Sequence, residues 1–105
     1  MADQTQFLYI TSIGWKTGNP QRIEIWFVEY NKKYYILSEG GASAHWVQNI
    51  SHNPHVSFNV NDAAFAGTAR KVDAEKEPEL SAAVLKLMEA KYRWNEGLIV
   101  ELVPT

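Results

Sequence analysis

Cysteine is absent from the sequence, which excludes disulfide bonds, zinc-thiolate sites and thiol catalysis by this chain and fits a reducing compartment. No apolar run reaches the ~18 residues of a membrane-spanning helix, and the N-terminus lacks the basic and apolar regions of a signal peptide. The net charge is −2 and no basic face is clustered, which disfavours nucleic-acid binding. We therefore expect a cytoplasmic protein with no membrane span and no nucleic-acid partner.

Aromatic residues are abundant by contrast, at 12% of the chain with four tryptophans. A hydrophobic core seldom needs that many tryptophans, so some of them are candidates for a ligand site or a partner surface. The length of 105 residues predicts one domain, spanning 1–105, with a hydrophobic core of its own.

The apolar pattern predicts six strands, at residues 6–13, 21–30, 34–37, 56–60, 65–72 and 98–103. Both faces of the first strand are largely apolar, which indicates little solvent exposure. Residues 31–33 and 61–62 are predicted turns, and Gly67 marks a bulge or a close approach of two backbones. Sequential strands joined by short turns favour an antiparallel sheet that closes into a small barrel.

Two helices interrupt the strands. The first is short, with Ser43 as its N-cap, and continues through Ile50 until Asn53 and Pro54 end it. The second opens at Pro78 and is stopped by residues 95–97. The predicted fold class is therefore mainly β with two helices (α+β).

The segment between the first two strands, residues 14–20, reads Gly-Trp-Lys-Thr-Gly-Asn-Pro. Glycines with free backbone N–H groups can form a concavity for an anion, to which Lys16 adds a positive charge and Thr17 a hydroxyl donor. This combination suggests a phosphate-binding loop. The alternative is a surface hairpin with an incidental lysine.

Three histidines at positions 45, 52 and 55 raise the question of a metal site. Asn53 and Pro54 break the helix between the last two, and no acidic residue completes a ligand set nearby, so we expect no metal. His45 is either a proton donor beside Trp46 or an exposed helix residue. No nucleophile motif is present, and we predict no catalytic side chain.

Residues 8–20, Leu-Tyr-Ile-Thr-Ser-Ile-Gly-Trp-Lys-Thr-Gly-Asn-Pro, resemble the opening of the deazaflavin-dependent nitroreductase family. The family pattern continues with Gly-Gly, then Trp, Asn three residues on, and Asn-Pro. Here those positions are Gly40, Gly41, Trp46, Asn49 and the pair at 53–54. The resemblance extends through the strands at 56–60 and 65–70 and covers nearly the whole chain. It implies the split β-barrel, FMN-binding-protein-like fold of the pyridoxamine-phosphate-oxidase-like flavoproteins.

The resemblance implies a cofactor, either FMN or the 8-hydroxy-5-deazaflavin coenzyme, and hydride transfer to quinone-like, nitroaromatic or other conjugated acceptors. Several positions are carried over from the family as cofactor-binding residues. The phosphate contacts are Lys16, Thr17 and Gly18, with a backbone contact from Asn19, while Ser38, Gly40, Gly41 and Trp46 lie along the ring. Arg22 either reaches the same phosphate or faces solvent.

Three positions depart from the family pattern and remove positive charge. Trp15 and Gln21 stand where arginines are usual, and Glu39 replaces a frequent lysine. Each lost charge-assisted contact to a polyanionic deazaflavin tail would cost ~1.5–3 kcal/mol, whereas FMN needs fewer such contacts. The choice between the two cofactors therefore stays open at this point.

The remaining tryptophans have alternative interpretations. Trp15, exposed on a loop, is a candidate for stacking on substrate or cofactor, and Trp46 is either a core residue or a cofactor contact. Trp26 lies on the barrel exterior or in a dimer interface. A homodimer is expected from the family, and a monomer at micromolar concentration would contradict it. The rival function is a non-catalytic flavin or small-ligand binding module on the same fold.

Overall fold

The structure, a computed structural model, describes residues 7–60 and 62–105. Its elements in chain order are β1 (Phe7–Ile13), β2 (Pro20–Tyr30), β3 (Lys33–Ser38), a 3₁₀ turn (Gly41–Ser43), α1 (His45–His52), β4 (His55–Val60), β5 (Ala63–Lys71), α2 (Pro78–Tyr92) and β6 (Leu98–Pro104). All six predicted strands and both helices are present. Gln6 and Asn61, which belonged to a predicted strand and a predicted turn, lie outside the described residues.

The strands form a closed antiparallel barrel in the order β1-β2-β3-β6-β5-β4. Each strand pairs with two neighbours, although β2 does so along different stretches, and the closed order confirms the predicted barrel. The β2–β3 turn uses Asn31 and Lys32, both with positive φ (54° and 65°), which matches the twist of a tight hairpin. The β1–β2 connection is longer, and this extra length forms the loop discussed below.

Two apolar clusters result from the alternation of side chains along the strands. The first fills the barrel and contains Leu8, Ile10, Phe27, Ile36, Ile50, Val56, Phe58, Val60, Ala69, Val100 and Leu102. Ile50 comes from α1, so that helix packs against the barrel core. The second cluster joins α2 to the outer side of the barrel and contains Val28, Tyr35, Leu37, Val72, Val84, Met88 and Ile99.

Gly67 makes a close backbone approach, one of its two predicted roles. A Cβ placed on Gly67 would lie 2.2 Å from the Val103 carbonyl oxygen, so only glycine lets β5 and β6 come this close. In the described residues, neither helix combines the length and apolar character needed to cross a bilayer.

The first helix begins later than predicted, and Ser43 is not its N-cap. Gly41 takes a left-handed φ of 64° and opens the 3₁₀ turn that contains Ser43. The extended N-cap position therefore falls on Ala44, with φ −60° and ψ 140°. The Ser43 carbonyl instead accepts a hydrogen bond from Gln48 Nε2 at 3.0 Å.

Other predicted boundaries and exposures were also wrong. Helix α2 ends at Tyr92 because Arg93 adopts a left-handed φ of 61°, so the stop precedes residues 95–97. Strand β5 starts at Ala63, two positions early, because Ala63 pairs with Val60 of β4. The outward face of β1 is not covered: Phe7 is 40% exposed and Tyr9 37%. By contrast, the exposure of Trp26, at 36%, agrees with the barrel exterior, one of its two predicted locations.

Candidate functional site

The loop between β1 and β2 closes on its own backbone. The Gly14 N–H donates to the Asn19 carbonyl at 2.8 Å, and the Gly18 N–H donates to the Gly14 carbonyl at 2.7 Å. Gly18 has a φ of 77°, which glycine adopts at no steric cost. Within the described chain, the backbone N–H groups of Lys16 and Thr17 donate to nothing. These two N–H groups can therefore serve an anion, together with the Lys16 ammonium and the Thr17 hydroxyl.

Asn49 of α1 ties this loop to the barrel. It is only 3% exposed, and its Oδ1 accepts the Trp15 N–H at 3.1 Å. Its Nδ2 donates to Ser12 Oγ at 3.2 Å and to Gln21 Oε1 at 2.9 Å. One buried amide thus connects the end of β1, the loop, the start of β2 and α1. These hydrogen bonds fix the loop relative to the helix.

Trp15 also holds the loop against α1. Its ring stacks on the His52 ring with centroids 4.2 Å apart and planes 9° apart. The Lys16 ammonium lies 5.0 Å from the Trp15 ring centroid, within range of a cation–π interaction. His52 Nδ1 lies 3.0 Å from the Gln48 carbonyl of the preceding turn. Trp15, the predicted substrate contact, therefore already has a partner within the fold.

A cleft of about 220 Å³ opens beside this loop, and we call it the anion cleft. Its walls are formed by Gly14, Trp15, Lys16, Thr17, Gln21, His45, Gln48 and Asn49. Among the residues that the structure describes, Lys16 is the permanently charged member of this lining, and no carboxylate belongs to it. The cleft therefore offers a positive, hydrogen-bonding environment suited to a phosphate.

Gly14 sets the position of Thr17 in this cleft. A Cβ on Gly14 would lie 2.8 Å from Thr17 Oγ1 and 3.3 Å from the Asn19 carbonyl oxygen. We expect Gly14→Ala to displace Thr17, destabilise the protein by about 1–2 kcal/mol and weaken binding of a phosphate-bearing ligand several-fold. Urea denaturation and ligand titration measure the two effects. Gly40→Ala is the control for the stability effect, because its Cβ would make an ordinary 3.6 Å contact with Ala44. Equal stability of the two variants, or wild-type affinity of Gly14→Ala for the ligand, would refute the role of Gly14.

A second, larger cavity of about 620 Å³ lies at the end of β3, and we call it the aromatic pocket. It is lined by Phe7, Glu24, Ile25, Trp26, Leu37, Ser38, Glu39, Gly40, Ala44, Trp46 and Trp94. Its size falls within the roughly 300–1,000 Å³ typical of small-molecule sites, and its walls are mostly apolar, as such sites require. A planar ligand can pack here against several indole rings.

The turn after β3 shapes one wall of the aromatic pocket. The buried Ser38 hydroxyl donates to the Gly41 carbonyl at 2.9 Å, and the Ala44 N–H reaches the same carbonyl at 3.4 Å. Gly40 and Ala44 present only hydrogen or methyl to the cavity, which leaves room beside Trp46. Gly97 approaches this turn so closely that a Cβ on it would lie 2.5 Å from the Ser38 carbonyl oxygen.

The predicted cofactor residues divide between these two cavities. Lys16 and Thr17 line the anion cleft, and Ser38, Gly40 and Trp46 line the aromatic pocket. The remaining three loop positions, Gly18, Asn19 and Gly41, shape the two turns through their backbones. Arg22 lies outside both sites, with its guanidinium 4.5 Å from the Tyr9 ring centroid. Glu39 and Lys16 line different cavities, and no ion pair joins them.

The sequence did not predict four residues as parts of the cavity walls. Gln21 and Asn49 line the anion cleft, and Trp26 and Trp94 line the aromatic pocket. Asn49 carried a usable signal, because it lies three residues after Trp46, at the edge of the apolar face of α1, where a polar side chain needs hydrogen-bond partners. Trp94 carried none, because only the left-handed turn at Arg93 brings it to β2.

The three histidines do not converge. His45 lines the anion cleft, His52 stacks on Trp15, and His55 starts β4 on the barrel surface. Within residues 7–60 and 62–105, no group of three or more His, Cys, Asp or Glu side chains is placed to hold a metal ion.

Comparisons with known proteins identify the family and the fold. A protein-family model described as F420H(2)-dependent quinone reductase matches residues 2–97. Among solved structures, the F420-H2 dependent reductase FDR-A is 25% identical with a TM-score of 0.66, and the match covers 97% of this chain and 99% of that chain. A comparison with curated proteins gave no significant match.

Two further solved structures share the fold at lower identity. The heme storage protein HutZ from Vibrio cholerae has a TM-score of 0.76 at 19% identity, covering 97% of this chain and 83% of that chain. A candidate pyridoxamine 5'-phosphate oxidase from Listeria innocua has a TM-score of 0.71 at 17% identity, covering 94% and 83%. The predicted split β-barrel and the resemblance to deazaflavin-dependent reductases are thereby confirmed. Because the family match spans nearly all of its length, the chain belongs to the F420H(2)-dependent quinone reductase family, whose members are deazaflavin-dependent oxidoreductases.

Proposed function

We propose that this protein is a reductase that uses coenzyme F420 to reduce quinone-like, nitroaromatic or other conjugated acceptors. One observation carries the proposal: consecutive residues at the start of α1 line the anion cleft and the aromatic pocket. His45 lines the cleft, while its neighbours Ala44 and Trp46 line the pocket. Two sites separated by a single residue suit the phosphate and the ring of one cofactor molecule.

The residues present fit such a cofactor. Lys16, the Thr17 hydroxyl and the two free loop N–H groups would hold a phosphate in the anion cleft. Ser38, Gly40 and Trp46 would border the ring in the aromatic pocket. The apolar walls would shield the ring from water, and the hydrogen-bonded turn after β3 would help to orient it. FMN has the same two parts, but family membership favours F420.

The cofactor supplies the redox chemistry: reduction of a quinone to its hydroquinone takes a hydride from reduced F420 and a proton from water. The chain itself contributes binding, orientation and exclusion of water. This division agrees with the prediction that no side chain acts as a catalytic acid or base.

The polyanionic tail of F420 should contribute less to affinity here than the phosphate. Gln21, at a position where the family usually has arginine, is occupied as the acceptor of the Asn49 amide at 2.9 Å. Trp15 is stacked on His52, and Glu39 brings a negative charge to the neighbouring pocket. Because none of these three positions carries a basic side chain, the anionic tail can make few charge-assisted hydrogen bonds here.

The proposal is tested first by fluorescence titration of ligand-free protein with F420 and, separately, with FMN. We expect Lys16→Ala to weaken F420 binding by roughly 10- to 100-fold, because hydrogen bonds to charged groups contribute about 1.5–3 kcal/mol. Lys86→Ala, on the exposed face of α2, is the matched control and should bind as the wild type does. Equal affinities of the two variants would contradict the placement of the phosphate.

Turnover is then measured with reduced F420 and menadione as a model quinone. Oxidation of F420 that depends on the protein supports the reductase. Tight binding of F420 without turnover of any quinone or nitroaromatic acceptor would favour the non-catalytic binding module instead. Failure of both F420 and FMN to bind would refute the proposed function.

A further inference from the structure

The outer wall of the aromatic pocket is built around Trp26. The Trp26 ring stacks on Tyr92 with centroids 4.5 Å apart and planes 3° apart, and the edge of Trp94 meets it at 5.7 Å. The Tyr92 hydroxyl is fixed in turn, since it donates to the Phe27 carbonyl at 2.8 Å and accepts the Phe27 N–H at 3.1 Å. Burial raises the pKa of Tyr92, so the hydroxyl stays protonated as that donor. Trp26 is therefore a supported aromatic platform, 36% exposed and facing the cavity.

The charges on this pocket have one sign. Glu24 and Glu39 are its charged lining residues, and no lysine, arginine or histidine accompanies them among the described side chains that form the wall. Glu24 precedes Trp26 by two positions on β2, so both side chains point to the same face of the strand.

Neighbouring polar groups leave that negative charge in place. The Tyr9 hydroxyl donates to Glu24 Oε2 at 3.0 Å, and this bond raises the pKa of Tyr9. The Arg22 guanidinium lies over the Tyr9 ring, outside the pocket lining. A ligand in the pocket thus meets indole faces and two carboxylates, and no basic side chain belongs to the described lining.

We propose that the outer part of the aromatic pocket selects planar, positively charged heteroaromatic compounds and discriminates against anionic ones. Indole rings attract a cation through their negative faces, and carboxylates add a charge attraction that an anion would experience as repulsion. That such cations are the preferred electron acceptors rests on the proposed function. The charge preference of the pocket itself does not, because it follows from the lining residues alone.

The test uses two rigid three-ring probes of similar size, cationic 9-aminoacridine and anionic 9-anthracenecarboxylate, titrated into cofactor-free protein at neutral pH. We expect the cation to bind at least about tenfold more tightly at low salt, with a difference that narrows as salt screens the carboxylates. The double variant Glu24→Gln/Glu39→Gln should reduce the preference to a few-fold. The control is the double variant Glu79→Gln/Glu89→Gln on α2, which changes the net charge by the same amount. It should keep the wild-type preference for the cationic probe.

Trp26→Ala should weaken binding of the cation, and Trp26→Phe should restore part of it, since a benzene ring keeps the platform with a weaker cation–π attraction. Equal affinity of the two probes for the wild type, or a preference unchanged in the Glu24/Glu39 double variant, would overturn the proposal. Those outcomes leave F420 binding and its dependence on Lys16 untouched, and loss of F420 binding leaves the probe result standing. The two proposals therefore fail separately.

Discussion

Replacing Glu101 with leucine is expected to lower the free energy of unfolding by about 2–4 kcal/mol at neutral pH. Glu101 lies on β6, is 3% exposed, and accepts hydrogen bonds from the Tyr35 hydroxyl and from Arg70 Nε, both at 2.8 Å. Lys33 Nζ lies 3.8 Å from the same carboxylate. Leucine would leave the buried Tyr35 hydroxyl without its acceptor. The Arg70 side chain is 48% exposed, so water screens its ion pair with Glu101, and losing that pair adds little to the lost free energy of unfolding.

This contribution should depend on pH in a defined direction. Burial raises the pKa of Glu101, but the hydrogen bonds from Arg70 and Tyr35 lower it more, so the net pKa is below its ordinary value of 4.5. A carboxyl with a depressed pKa in the folded state stabilises the fold above its unfolded pKa, and that stability is lost as the pH falls through the folded pKa. The difference in unfolding free energy between wild type and Glu101→Gln should be constant near neutrality and shrink below pH 4.5.

Chemical denaturation at several pH values measures both effects. Glu77→Gln is the matched control, because Glu77 accepts two hydrogen bonds from the same Arg70, at 2.7 and 3.1 Å, on the protein surface. It should destabilise the protein less than Glu101→Leu does. If Glu101→Leu is as stable as the wild type, or if the Glu101→Gln difference persists unchanged in acid, the buried carboxylate has no such role.

Asn49→Leu is expected to reduce both stability and cofactor affinity. Leucine has the same branched shape as asparagine, although its methyl groups are bulkier, and it removes the hydrogen bonds to Trp15, Ser12 and Gln21. Ser12 is 1% exposed, so water cannot readily replace the missing partner. We expect a loss of about 2–4 kcal/mol in unfolding free energy, at roughly 1 kcal/mol per bond plus desolvation. Without its anchor to α1, the loop should bind F420 at least about tenfold more weakly.

Urea denaturation and F420 titration of the folded variant distinguish the two effects. Ser51→Ala on the same helix is the control, since the Ser51 hydroxyl only donates to the Val47 carbonyl one turn earlier. It should change neither quantity appreciably. A folded Asn49→Leu protein with wild-type F420 affinity would show that the loop keeps its binding geometry without the amide.

Strand and helix positions followed from local sequence because the apolar alternation and the turn residues act over a few positions. The β2–β3 turn at Asn31 and Lys32 and the helix start at Pro78 are examples. The predicted N-cap of α1 was wrong by one residue. Serine is a favourable N-cap, but the 3₁₀ turn from Gly41 moves the start of the helix so that the N-cap falls on Ala44.

The exposure of β1 was not predictable from its own residues. An apolar pattern on both faces is equally compatible with a covered strand and with an outward face that holds Phe7 and Tyr9 in partial contact with solvent. The pairing of strands around the barrel decides between them.

Only the part of the candidate site that is formed by neighbouring residues in the sequence could be predicted. The glycine loop with Lys16 and Thr17 is contiguous in sequence, so the sequence could place these two residues together, as the cleft does; that the cleft binds an anion stays a prediction. The aromatic pocket unites residues as distant as Trp26 and Trp94, and its platform depends on a contact between β2 and the end of α2. No pattern within one segment predicts such a contact, because barrel closure and helix packing create it.

The left-handed residue that ends α2 has a consequence for how this scaffold can diversify. Arg93 turns the chain so that Tyr92 supports the Trp26 platform while Trp94 enters the pocket wall, far in sequence from the loop that would hold the phosphate. If the proposed function holds, the loop at 14–20 would hold the phosphate, whereas Tyr92 and Trp94 would influence only the aromatic pocket. Variation in the few residues around the end of α2 is then expected to alter ligand preference in that pocket and to leave the phosphate loop unchanged.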